Sequence, residues 1–204
     1  MTVAHIEFLV EEPSMEAALR LLLPQMLPTT SFEVYSHQCK AELLGALPSR
    51  LRAYKQWLPD DWRIVVILDR DRDDCTALKK RLEKLAGEAG LVTRSRAKAN
   101  KFALVNRLAI EELEAWYFGD WEAVREAYPR VPEGVPTKAK FRDPDDIAGG
   151  TWEALERVLK KAGYFPSGLR KIELARNVAE RMVPDRNGSR SFQVLRDTLV
   201  EMAR

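Results

Sequence analysis

A run of aliphatic residues ends in alternating acids at Ile64-Val65-Val66-Ile67-Leu68-Asp69-Arg70-Asp71. Its apolar part is too hydrophobic for an edge strand and is typical of a strand that a parallel sheet buries on both faces. Ala4 to Val10 has the same character and stops at Glu11-Glu12, while Phe32 to His37 alternates like a half-buried strand. These three segments predict strands of one sheet.

Helical patterns separate the predicted strands. Apolar residues recur at helical spacing from Ala18 to Met26, Leu43 to Trp57 is predicted to be helical with an interruption at Pro48, and a helix from Thr76 to Ala89 follows the acids. Regular alternation of strand and helix predicts an α/β fold with a largely parallel sheet, flanking helices and right-handed crossovers.

The pattern changes after residue 110. Two more strands are predicted at Leu91 to Arg96 and at Ala103 to Ile110, and helical segments dominate from there on. The later helical segments are Leu113 to Tyr117, Trp121 to Tyr128, Trp152 to Ala162, Leu169 to Met182 and Phe192 to Ala203. We therefore expect an α/β core over residues 1–118 and a helical C-terminal part over residues 119–204 that packs on it.

The composition is that of an ordinary globular protein. The chain has 204 residues, with 33 Lys and Arg, 31 Asp and Glu, and 46% hydrophobic residues, which excludes a disordered chain and a small disulfide scaffold. No apolar run approaches the roughly 18 residues that a membrane span needs. No secretory signal is visible either, so we expect a cytoplasmic protein that does not contact a membrane.

The near-zero net charge conceals a segregation of charge along the chain. Residues 79–107 hold nine basic and two acidic residues, whereas residues 111–122 hold five acids and no base. The first part of the basic segment has the pattern of an exposed helix face. Lys98 and Lys101 lie in a polar loop, and Lys171 lies farther along the chain. These three lysines are candidates for binding phosphate groups, because phosphates bound near a metal ion are held by cations.

Three acidic clusters follow predicted strands, at Glu11-Glu12, at Asp69-Arg70-Asp71 and from Glu111 to Glu114. If the strands are parallel these loops converge, and carboxylates so close together repel unless a cation lies among them. Hard cations take oxygen ligands, so the economical choice is Mg²⁺ or Mn²⁺. Alternation in an extended segment would turn the Asp69 and Asp71 carboxylates to one side. A solvated turn is the alternative interpretation of the acids from Asp69 to Asp74.

A Glu after the first strand and an Asp-x-Asp after a hydrophobic strand 58 positions later resemble the Toprim fold of topoisomerases, primases and metal-dependent nucleases. Four motifs together also resemble a Toprim-like bacterial family, domain of unknown function 4276. The motifs are Phe8-Leu9-Val10-Glu11-Glu12-Pro13-Ser14, Val65-Val66-Ile67-Leu68-Asp69-Arg70-Asp71, Ile110-Glu111-Glu112-Leu113-Glu114-Ala115-Trp116 and Asn187-Gly188-Ser189-Arg190-Ser191-Phe192. The resemblance covers nearly the whole chain. It implies Mg²⁺-dependent phosphodiester chemistry on DNA or RNA, in phage defence beside an ATPase partner.

The resemblance also implies roles for single residues. Glu11 matches the Toprim glutamate, a metal ligand or general acid/base, and Asp69 and Asp71 match the metal-binding Asp-x-Asp, so these three are the implied catalytic residues and metal ligands. Glu114 matches the acid of the family's Glu-Ala-Trp motif and is a fourth implied ligand.

The chain departs from the Toprim pattern at one position. Many Toprim proteins have Gly directly after the glutamate, where this chain has Glu12 followed by Pro13. Which of Glu11 and Glu12 faces the metal is therefore open, and Glu12 and Asp73 are supporting candidates.

Several functions remain open from the sequence. Metal-dependent hydrolysis needs no Ser or Cys nucleophile, and 204 residues leave little room for the tyrosine-bearing domain of a topoisomerase. A Mg²⁺-dependent nuclease is the first hypothesis; a non-catalytic subunit of an ATPase-containing complex is the second, and Glu12-Pro13 favours it. A phosphoacceptor receiver domain fits less well because the spacing of the acids is long. A haloacid-dehalogenase-type phosphatase also uses Asp-x-Asp, but there the motif follows the first strand of the core. Asp69 would be displaced from that position in this chain.

Overall fold

In the computed structural model, which describes residues 2–71, 73–98 and 101–203, four strands form one parallel sheet. The strands are β1 (His5–Val10), β2 (Ser31–Ser36), β3 (Trp62–Asp69) and β4 (Leu104–Ala109). Their order in the sheet is β2-β1-β3-β4, with Val10 beside Ile67 and Asp69 beside Ala109. The predicted parallel α/β sheet is thereby confirmed.

Eight α-helices lie in the described ranges. Three connect the strands, namely α1 (Pro13–Met26), α2 (Lys40–Trp57) and α3 (Cys75–Glu88). The others follow β4 and are α4 (Glu114–Gly119), α5 (Trp121–Ala127), α6 (Thr151–Lys161), α7 (Lys171–Ala179) and α8 (Arg190–Ala203), with a short 3₁₀ helix at Ala139–Phe141. None of these helices is both long and apolar enough to cross a bilayer.

Helices cover both faces of the sheet, so each strand contributes alternate side chains to two cores. Phe8 and Ile67 face the core that α1 and the C-terminal helices share, whereas Leu9 and Val66 face the core built with α2 and α3. This two-sided burial explains why β1 and β3 are almost continuously apolar. The first core is continuous from β1 to α7 and α8. The boundary at residue 118 between an α/β core and a helical C-terminal part stays a prediction.

Two local predictions are wrong. Leu91 to Arg96 is not a strand: only Thr93 forms a bridge, to Leu104, because the chain turns directly afterwards, with Arg96 N donating to Thr93 O at 3.0 Å. Pro48 does not interrupt α2, which runs through it. A proline inside a helix costs about 3 kcal/mol, and burial of apolar side chains on both sides of it offsets that cost. These side chains are Leu43, Leu47, Leu51 and Tyr54.

The strand order creates a crevice at one edge of the sheet. From β1 the chain crosses to β2 on one side, and from β3 it crosses to β4 on the other side. In open α/β sheets ligands bind at such a reversal, outside the carboxyl ends of the two central strands. Here those ends are Val10, followed by Glu11, and Asp69.

Candidate functional site

Glu11 and Asp69 meet at the carboxyl edge between β1 and β3. Glu11 Oε2 accepts a hydrogen bond from the backbone nitrogen of Asp69 at 3.1 Å, across 58 positions of sequence. Parallel pairing of β1 with β3 produces this contact, because it brings the ends of both strands to the same level. The expected convergence of acids from distant strands is therefore present.

Two buried carboxylate oxygens at this edge have no hydrogen-bond partner among the described residues. They are Oδ1 of Asp69, whose residue is 5% exposed, and Oε2 of Glu114, whose residue is 1% exposed. Buried polar atoms almost always have a partner, and an isolated buried charge is costly. These two oxygens are therefore the strongest local sign of a site that takes a proton or a cation.

Burial and mutual repulsion raise the proton affinity of the acids. Burial, helped by the negative charge of Asp71, raises the pKa of Glu11 to about 7, although Lys40 opposes the rise. Burial also raises the pKa of Asp69 well above its ordinary value, and the charges of Glu11 and Glu114 add to this rise. A cation among these groups would stabilise the charged forms in place of a proton.

The acids divide between the two faces of the sheet. Since Val10 faces the core of the C-terminal helices, Glu11 lies on the opposite side, toward α2, and Glu12 lies toward α7. Glu12 pairs with Lys171, the first residue of α7, at 3.3 Å. Asp69 follows Ile67 by two positions and therefore points to the α7 side.

Asp71 and Asp73 belong to the α2 side and are already paired. Lys40, the first residue of α2, donates to Asp71 Oδ2 at 2.5 Å and to Asp73 Oδ2 at 2.9 Å. The expected extended Asp69-Arg70-Asp71 segment is wrong, because the chain leaves the sheet after Asp69 and Asp71 has a positive φ of 50°. The Asp71 carboxylate is consequently 45% exposed, in contrast to that of Asp69.

Of the three acids that follow β4, only Glu114 faces the site. Glu111 pairs with Arg70, and Glu112 Oε2 accepts from the backbone nitrogen of Trp152 at 2.8 Å, which caps the start of α6. Glu114 lies in the first turn of α4, where burial raises its pKa to about 7; Lys171 opposes this rise and Glu112 adds to it.

The three lysines that the sequence suggested for phosphate binding are not placed together. Lys171 lies at the acids, as described above. Lys101 instead lines a cleft of about 760 Å³ with Val3 and Trp62 at the amino edge of the sheet, and its backbone nitrogen donates to Lys98 O at 3.3 Å. Both Lys98 and Lys101 precede β4, and the six residues of that strand span about 20 Å. The prediction that they lie beside the acids is wrong for this reason.

Sequence reasoning missed two residues at the site. Lys40 follows β2, so its place at a carboxyl strand end was a usable signal. Tyr117 lies three positions after Glu114 on one face of α4; its hydroxyl is buried without a partner in the described structure. Burial, together with the charges of Glu114 and Glu12, raises the pKa of Tyr117 well above its ordinary value, so the group stays a protonated donor.

The segment from Asn187 to Phe192 fixes α4 from behind. Asn187 Nδ2 donates to Trp116 O at 2.8 Å, and Trp116 Nε1 donates to Ser191 Oγ at 3.1 Å. Asp145 joins the network by accepting from Ser191 N at 3.1 Å. This motif therefore positions the helix that carries Glu114 and does not itself reach the acids.

The donor chemistry at this edge suits a hard cation, although the side chains are not arranged as a ready-made site. Glu11, Asp69 and Glu114 offer only carboxylate oxygens, the ligand type that Mg²⁺ and Mn²⁺ prefer. Across residues 2–71, 73–98 and 101–203, no three His, Cys, Asp or Glu side chains are grouped so that they could hold a metal ion as they stand. The fit therefore rests on donor type and on the two partnerless oxygens.

Comparison with known proteins gives a family. No curated protein matches the chain. A solved structure, the C-terminal region of the OLD protein of Xanthomonas campestris pv. campestris, is 18% identical over 96% of this chain and 94% of that chain, with a TM-score of 0.44. A likeness this distant says nothing about activity. The model of the family described as "Domain of unknown function (DUF4276)" matches residues 10–200, so the chain belongs to the DUF4276 family.

Proposed function

We propose that the chain binds Mg²⁺ or Mn²⁺ at the carboxyl edge between β1 and β3 and hydrolyses phosphodiester bonds of DNA or RNA. The observation that carries the proposal is the contact between Glu11 and Asp69, together with the buried oxygens of Asp69 and Glu114 that have no partner in the described structure. The charge of Glu114 also acts on Asp69. Groups with strongly perturbed proton affinity in a strand-end crevice are candidates for a functional site.

Each residue would have a separate role. Glu11, Asp69 and Glu114 would hold the metal, and a bound divalent ion supplies a lowered pKa for water and polarises a phosphate oxygen. Without the metal, Glu11 has a pKa of about 7, so a proton and the metal ion compete for its carboxylate near neutral pH. Lys171 adds positive charge beside the acids, where a phosphate group would need it. The Tyr117 hydroxyl can donate a hydrogen bond from the closed side of the site.

The nucleic-acid substrate and an ATPase partner in phage defence are proposals that rest on the Toprim resemblance of the four sequence motifs. A second candidate function is a non-catalytic subunit of an ATPase-containing complex. The pairing of Asp71 and Asp73 with Lys40 favours this second function. Asp71, the second aspartate of the Asp-x-Asp motif, is bound by a lysine of the protein itself.

The test is a cleavage assay with end-labelled single- and double-stranded DNA and RNA, in Mg²⁺, in Mn²⁺ and in EDTA. We expect cleavage that needs the metal and is lost in Asp69→Asn but kept in Asp60→Asn, an exposed acid at the other edge of the sheet. Cleavage that survives in EDTA or in Asp69→Asn would refute the proposal. Metal binding without cleavage, by a folded protein, would favour the second candidate.

A further inference from the structure

The ammonium group of Lys40 is surrounded by oxygen atoms in the manner of a bound cation. Its Nζ donates to Asp71 Oδ2 at 2.5 Å, to Asp73 Oδ2 at 2.9 Å and to the backbone oxygen of Arg70 at 3.3 Å. The side chain is only 17% exposed, although the two carboxylates it contacts are about half exposed. The charge therefore lies inside the loop that follows β3, not out in the solvent.

Two features hold Lys40 in this place. It is the first residue of α2, a helix anchored on the sheet by buried leucines such as Leu43 and Leu47. The backbone nitrogen of Asp71 donates to Glu111 O at 2.8 Å, which fixes the left-handed turn that presents the Asp71 carboxylate to the lysine. The position is thus built by two separate elements of the fold.

Lys40 is also close enough to act on the proposed metal site. Its charge stabilises ionised Glu11, and Asp71, which it neutralises, acts on both Glu11 and Asp69. A divalent ion among Glu11, Asp71 and Asp73 would be repelled by this ammonium group and would have to displace it from its three oxygens.

We propose that Lys40 is a built-in cation that fills the α2 side of the site. A divalent ion then binds only beside Asp69 and Glu114, where the Glu11 carboxylate reaches it through its contact with Asp69, unless the lysine is displaced. The inference rests on the proposed function for the existence of the divalent site. It gives Asp71 and Asp73 a positioning role toward Lys40 in the resting protein, and it makes Lys40 the residue that limits the number of ions.

The experiment counts Mn²⁺ ions bound to the full chain, by isothermal titration calorimetry and by electron paramagnetic resonance of free Mn²⁺. The variant is Lys40→Met, which keeps most of the unbranched side chain and removes its charge. We expect wild type to bind one Mn²⁺, and Lys40→Met to bind a second ion or to bind the first at least tenfold more tightly. Adding Asp71→Asn to Lys40→Met should remove the gain.

Lys55→Met is the matched control, because Lys55 lies on the exposed side of the same helix. It should bind Mn²⁺ as wild type does, and circular dichroism should show all variants folded. Wild type and Lys40→Met with the same number and affinity of ions, or weaker binding by Lys40→Met, would overturn the role of Lys40 and leave the proposed function standing. An ion bound by Lys40→Met but not by wild type would support the inference and refute the proposed wild-type site. No ion in either protein would overturn both.

Discussion

Glu114 shows how burial controls a single carboxyl group at this site. The residue is 1% exposed, and burial raises its pKa from the ordinary value of 4.5 to about 7, with Lys171 opposing the rise and Glu112 adding to it. A carboxyl group whose pKa is higher in the folded than in the unfolded chain favours folding less as it ionises. The contribution of Glu114 to stability therefore falls between about pH 4.5 and pH 7, and the fall is complete above that window.

We expect Glu114→Gln to stabilise the metal-free protein at pH 8 by about 1–3 kcal/mol, because the neutral amide has no buried charge, and to change its stability little at pH 4. Urea unfolding at both pH values measures the difference. Glu126→Gln is the control: it makes the same change at an exposed residue of α5 and should alter stability by less than about 0.5 kcal/mol at either pH. A Glu114→Gln protein less stable than wild type at pH 8 would contradict the raised pKa.

Lys171 provides a second prediction for a single residue, since it faces Glu12 and its charge acts on Glu114. Lys171→Met should raise the pKa of Glu114 further and weaken binding of a DNA or RNA oligonucleotide, because one cation beside the acids is lost. Fluorescence anisotropy against salt concentration tests the second part, and a shallower salt dependence is expected. Lys101→Met, at the opposite edge, should leave binding at this site unchanged; equal losses in both variants would show that the two edges bind together.

The acids after β3 show how far single residues could be predicted. The sequence placed Asp69 beside Glu11 correctly, because both end buried parallel strands. The sequence could not show which of the remaining acids face the site, because this depends on their partners. Lys40 of α2 binds Asp71, while Asp74 caps α3 by accepting from Ala77 N at 2.6 Å. The solvated-turn interpretation was thus right for Asp74, whose role is local.

Among the elements, α4 depends most on its neighbours. It has only six residues and is fixed from behind by the segment that begins at Asn187. Gly119 ends the helix against that segment, and a Cβ atom there would lie 2.7 Å from the backbone nitrogen of Ser189. Side chains cannot be added at this position without moving backbone.

We expect Gly119→Ala to destabilise the protein by about 2–4 kcal/mol and to weaken Mn²⁺ binding, since α4 carries Glu114. Gly45→Ala is a matched control, because Gly45 is an exposed residue inside α2 with nothing within 4 Å of the added Cβ. That change should stabilise by about 0.5–1 kcal/mol through helix propensity. Chemical denaturation of the two variants makes the comparison, and a harmless Gly119→Ala would show that α4 is not fixed as described.

Element prediction succeeded where local pattern and tertiary packing agree. β1 and β3 are apolar because both faces are covered, so their sequence alone reveals them. Leu91 to Arg96 begins with three residues that are typical of strands, yet only Thr93 pairs. Its hydroxyl is held by Glu83 at 2.5 Å, and the chain then turns. That outcome depends on α3, which the local pattern does not contain.

For the whole molecule, the decisive feature is the core shared by the sheet and the C-terminal helices. Phe8 of β1 and Leu19 of α1 belong to the same buried cluster as Leu174 of α7 and Leu199 of α8. Lys171, which acts on the acids, also comes from α7. The helical part therefore completes both one face of the sheet and one side of the site.

A fragment of residues 1–118 should consequently fail to fold by itself. Removing the helices that follow α4 exposes the face of the sheet and α1 that now contact them, and such a patch is far larger than stable monomers carry. We expect the fragment to lack a cooperative thermal transition by circular dichroism, whereas the full chain has one. Co-expression with residues 119–204 should restore a complex that unfolds cooperatively, since all contacts of the shared core are then available. A cooperative transition in the isolated fragment would show instead that residues 1–118 form an independent domain.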